Sequence, residues 1–79
     1  MEHGDVKYSY SIGSDICRDG MYLEVTEASG GDNILEVFFA DTGKDMGLTL
    51  FKPSVPIEVV EWALSVAKVE LPPTLNTSS

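Results

Sequence analysis

The chain has 79 residues, 43% of them hydrophobic, with thirteen Asp and Glu against five Lys and Arg, a formal net charge of −8. That length allows one domain, and a core so small is only marginally stable. The charge balance speaks against direct nucleic-acid binding, because phosphate contacts need Lys and Arg, and favours a basic protein as counterpart.

Cys17 is the only cysteine, so no disulfide forms within one chain, and a reducing, cytoplasmic setting is expected. No apolar run is long enough to cross a bilayer, so no membrane partner is expected. The first residues, Met1-Glu2-His3-Gly4-Asp5, lack the basic and apolar regions of a signal peptide. His3 reads as part of a frayed terminus.

Four extended segments follow in chain order. Val6 to Ile12 alternates Val6, Tyr8, Tyr10 and Ile12 with Lys7, Ser9 and Ser11. A long connection from Gly13 to Gly20 leads to Met21–Ala28, with Leu23 and Val25 on one face and Tyr22, Glu24 and Thr26 on the other. Ile34 to Ala40 sets Leu35, Val37 and Phe39 on one face, and Met46 to Phe51 does the same with Met46, Leu48 and Leu50. Gly, Asp, Ser and Asn punctuate the gaps.

Two registers suit the second hairpin. One opposes Glu24 to Glu36, a like-charge pair that destabilises. The register with Glu24 opposite Phe38 and Thr26 opposite Glu36 is therefore expected. The third hairpin fits a four-residue loop, Asp41-Thr42-Gly43-Lys44, with Ala40 facing Asp45.

The last element is a helix. Pro56 suits its first turn, Ser54 is a candidate cap, and Pro72-Pro73 stop it near Leu71. Val59, Val60, Ala63, Leu64, Val66 and Ala67 form a broad apolar arc, and Trp62 lies at its border with Val69 nearby. The expected fold is α+β: a four-stranded antiparallel meander with a C-terminal helix on one face, spanning residues 1–73, and a disordered polar tail at 74–79. The expected core is Leu23, Val25, Leu35, Val37, Phe39, Leu48, Leu50, Leu64 and Ala67.

No complete catalytic, metal or cofactor motif is present, so a non-enzymatic protein without a cofactor is expected. His3 and Cys17 lack the partners that acid–base or nucleophilic chemistry requires. Asp15 with Asp19, and Asp41 with Asp45, do not match the ligand spacing of a calcium loop. Ser29-Gly30-Gly31-Asp32 precedes a strand, not the helix N-terminus that phosphate binding uses.

The face turned from the helix mixes aromatic and acidic residues: Tyr22, Glu24, Glu36, Phe38 and Phe51, beside Ile34, Thr26, Ala40 and Thr49. Aromatic anchors ringed by carboxylates suit a basic protein partner. Trp62 is a second anchor candidate. The leading expectation is a small acidic inhibitor, most concretely an immunity-type protein against a bacterial nuclease-like toxin. Alternatives are a homodimer built on the aromatic face and an anti-defence inhibitor that mimics nucleic acid.

Overall fold

The computed structural model describes residues 1–40 and 46–71. The strands are β1 (Glu2–His3), β2 (Val6–Asp15), β3 (Gly20–Glu27), β4 (Asn33–Ala40) and β5 (Met46–Leu50), followed by helix α1 (Ile57–Glu70). They form one antiparallel sheet in chain order, β1-β2-β3-β4-β5, with α1 lying over β3 and β4. The α+β fold with a C-terminal helix on one face is as expected, with β1 as an added strand.

Strand β1 corrects the expectation of a frayed terminus. A two-residue turn, Gly4-Asp5, pairs His3 with Val6 and Glu2 with Lys7. Gly4 lies at φ +63°, a conformation that glycine adopts without steric cost and that tight hairpins require. The Met1 amino group donates to the Tyr8 carbonyl at 3.0 Å, and the Tyr8 N–H donates back at 2.7 Å. His3 Nε2 comes within 3.9 Å of Glu58 Oε1 at the start of the helix.

The long first connection is also shorter than its composition implies. Pairing continues to Asp15 opposite Gly20, which leaves only Ile16–Asp19 as the turn. Asp19 takes φ +53°, a left-handed conformation that Asp tolerates better than most residues.

The core lies between the sheet and α1. Leu23, Val25, Leu35, Val37, Val59 and Ala67 are fully enclosed, with Tyr8, Ile34, Ala63 and Leu71 nearly so. Burying an aliphatic side chain of this size stabilises by about 1.5–3 kcal/mol. Phe39 and Leu64 are only partly buried. Leu48 and Leu50 fall outside the core, at 43% and 47% exposure. They oppose the buried Val37 and Leu35 across the ladder, but β5 is the sheet edge, beside the strands that α1 lies over. Ile34, expected outside, is only 2% exposed and belongs to the buried cluster. The ladder is irregular there: Val25 pairs with Leu35 and Thr26 with Asn33, so Ile34 is the extra residue of a bulge.

The helix starts after Pro56, whose carbonyl accepts from Val59 N–H at 3.0 Å. No side chain caps it, so Ser54 does not fill the expected role. Glu58 in the first turn and Lys68 in the last complement the helix dipole. The third hairpin pairs Phe39 with Met46, in the expected register. Its loop and the expected tail lie outside the described residues.

Candidate partner-binding face

The outward face of the sheet is set by strand alternation. On β3, Tyr22 and Glu24 point opposite to the enclosed Leu23 and Val25. On β4, Glu36 and Phe38 alternate with the enclosed Leu35 and Val37. Register sets Tyr22 directly opposite Phe38 and Glu24 directly opposite Glu36. Four of the six expected contact residues therefore form one square patch, two aromatic rings beside two carboxylates.

This register is the one rejected on charge grounds. Two opposed glutamates cost on the order of 0.2–1 kcal/mol. A third residue offsets that cost. Arg18, in the β2–β3 turn, reaches over the sheet and donates from Nη1 to Glu36 Oε1 at 3.2 Å and from Nη2 to Glu36 Oε2 at 2.8 Å. Its Nε donates to Asp15 Oδ2 at 2.5 Å. Its guanidinium carbon lies 4.2 Å from the centroid of the Phe38 ring, within cation–π range. Glu36 is only 9% exposed beneath it.

The electrostatics follow. The Asp15 carboxyl is held below the ordinary Asp range, chiefly by its hydrogen bond from Arg18. Arg18 is pushed further above its ordinary value, first by Glu36 and then by Asp15. The guanidinium stays charged at every accessible pH.

Two glycines make room for the rings. A Cβ on Gly20 would collide with the Phe38 ring and come within 2.5 Å of the Phe39 carbonyl oxygen. A Cβ on Gly13 would lie 2.5 Å from the Tyr22 hydroxyl. Each aromatic ring thus covers a neighbouring strand position that carries no side chain.

The other two candidates are not members of that square. Phe51 follows the end of β5, half exposed, and its N–H donates to the Ile34 carbonyl at 2.9 Å. Trp62 is on α1, behind the sheet, where it meets Tyr10 edge-to-face at 5.8 Å. It tethers the helix to β2 and does not share a surface with Phe38. Sequence reasoning missed Arg18 as a member of the site. Its position next to a glycine-closed turn was a weak signal, since the tie to Glu36 spans 18 residues.

Ile16, at the tip of the same turn, is 87% exposed, and the Cys17 thiol beside it is free and exposed. Among the described residues, no three His, Cys, Asp or Glu side chains gather in a metal-holding arrangement. Among the same residues, no helix is long and apolar enough to cross a membrane. Comparison with protein-family models, curated proteins and solved structures finds no match to this chain.

Proposed function

We propose that this chain is a small acidic, non-enzymatic binding protein that neutralises a basic protein, docking it on the outward face of the sheet. The observation that carries this reading is the patch itself: Tyr22 opposite Phe38 and Glu24 opposite Glu36, on the side of the sheet away from the helix. Rigid aromatic rings serve as anchors, and carboxylates steer a cationic partner and set its register. An immunity-type inhibitor of a nuclease-like toxin is the most concrete form. The active surface of such an enzyme is basic because it holds phosphates, and carboxylates on a sheet replace them. The exposed Cys17 thiol fits a reducing compartment, so we place this action in the cytoplasm.

A homodimer through the same face is less well supported. An isologous contact brings each patch against its own copy, and Glu24 has no cationic partner among the described residues to offset the repulsion.

The test is a photo-crosslinking residue at Phe38 and, separately, at Glu61 on the exposed side of α1, in the source cell. Capture of a basic protein from Phe38 and not from Glu61 is the expected result. Capture from Glu61 alone, or of a second copy of this chain from Phe38, overturns the reading.

A further inference from the structure

We infer that Glu36, Phe38 and Asp15 form an arginine-recognition site, occupied in the free protein by Arg18 and in the complex by an arginine of the basic partner. The inference rests on the functional reading above and specifies its chemistry.

The site shows every element that selects a guanidinium. Glu36 accepts two parallel hydrogen bonds, at 3.2 and 2.8 Å, from the two terminal nitrogens. This fork-to-fork geometry is available to arginine and not to the point charge of lysine. The Phe38 ring lies against the cation at 4.2 Å. A second carboxylate, Asp15, takes the remaining Nε–H. The carboxylate that does most of the binding is 9% exposed and held by a strand in the middle of the ladder, so it is pre-positioned.

The occupant, by contrast, is easily exchanged. The Arg18 side chain is 45% exposed and comes from a four-residue turn at the end of a hairpin, with exposed neighbours on both sides. Water competes for the half-solvated guanidinium, which lowers the net cost of releasing Arg18 itself. An incoming arginine that brings its own hydrophobic surroundings can outcompete it. Glu24, across the ladder from Glu36, adds a further negative charge at the rim. Release of Arg18 also frees a cation beside Ile16, the most exposed large apolar side chain among the described residues, so the turn becomes available to the same partner.

Exchange of one cation for another leaves Glu36 paired in both the free and the bound protein. A buried carboxylate left alone is costly. The internal arginine therefore acts as a placeholder that keeps the site folded and filters what enters. Ligands that cannot replace both hydrogen bonds and the ring contact do not displace it.

The experiment uses Nα-acetyl-L-arginine amide and its lysine counterpart as probes, titrated into the full chain while the Phe38 ring and the Arg18 Nε–H are followed by NMR. In Arg18→Ala, the arginine probe is expected to saturate and shift the Phe38 ring. The lysine probe is expected to bind about tenfold more weakly, the worth of one charge-assisted hydrogen bond. Wild type is expected to bind the arginine probe at least about tenfold more weakly than Arg18→Ala, because its own side chain must first leave. Adding Glu36→Gln to Arg18→Ala should abolish the response.

If Arg18→Ala fails to fold, the wild-type Arg18 Nε–H signal decides. It should move to the position of free arginine as the probe saturates. Equal binding to wild type and Arg18→Ala, equal binding of the two probes, or probe binding with the Nε–H unmoved overturns the inference. These outcomes are independent of the crosslinking result: a basic partner captured at Phe38, with no arginine binding to Arg18→Ala, overturns the site and leaves the functional reading standing.

Discussion

Arg18 and Gly20, two residues apart in the chain, decide what the outward face looks like. Arg18 makes an opposed glutamate pair tolerable by joining Glu36 and Asp15 through one planar cation. Removing it should lower the thermal midpoint, since it leaves a nearly buried carboxylate facing Glu24. Adding Glu36→Gln should bring the midpoint back toward wild type; a double variant no better than Arg18→Ala alone would show that the charge pair is not the cause. The pH dependence has a definite sign. Asp15 titrates below its unfolded value, so its contribution is present above the ordinary carboxylate range and lost as the pH falls through the lowered value. The stability difference between wild type and Asp15→Asn should thus be constant near neutrality and shrink in acid, as read by denaturation at stepped pH. Gly20→Ala pushes a methyl group into the Phe38 ring and toward the Phe39 carbonyl. It should cost about 1–3 kcal/mol by overpacking, and more than Gly13→Ala, where the three nearest atoms all belong to the movable Tyr22 side chain. Urea titration of both variants measures the difference.

At the level of elements, burial divides the strands sharply. Leu23 on β3 is fully enclosed, whereas Leu50 on β5 is 47% exposed. Leu23→Ala should therefore cost about 2–5 kcal/mol and Leu50→Ala less than about 1.5. Equal costs in thermal denaturation would mean that β5 is covered in solution. The strand Met46-Gly47-Leu48-Thr49-Leu50 carries no charge or proline, the usual protections of a sheet edge. The apolar alternation made four of the five strands and the helix readable, because period two and period 3.6 follow from backbone geometry alone. Met46, Leu48 and Leu50 alternate as cleanly as Leu35, Val37 and Phe39, yet position in the sheet, which alternation does not encode, leaves Leu48 and Leu50 half bare. The misassigned hairpin register has a similar origin. Pair rules weighed Glu24 against Glu36 and had no access to a cation arriving from another turn. The aromatic–acidic patch was legible residue by residue. What was not legible was its internal occupant, nor that Trp62 packs edge-to-face on Tyr10 of β2.

For the molecule as a whole, the net charge of −8 sets a long-range background against which the local ion pairs act. Self-repulsion destabilises the compact state and is screened over about 10 Å at 0.1 M salt. The thermal midpoint should rise as sodium chloride is increased from about 0.01 M to about 0.5 M, because the repulsion spans the surface while the surface ion pairs contribute little. A falling midpoint would mean that the Arg18 cluster outweighs the global term. Capture of a cationic protein should show the reverse trend, with association slowing as salt is added.

The order of strands in the sheet is the order of strands in the chain. No strand has to wait for a distant one, so each hairpin can close as soon as its second half exists, and loop-closure entropy stays low at every step. On a ribosome, β1 to β5 can therefore assemble one after another during synthesis. The helix comes last, and until Val59, Ala63 and Ala67 arrive, the apolar side of the nascent sheet faces water. The interval between completion of β5 and docking of α1 is when this chain is most exposed to misassembly. Like net charge disfavours contact between neighbouring copies of the chain during that interval, an effect separate from anything the finished protein binds.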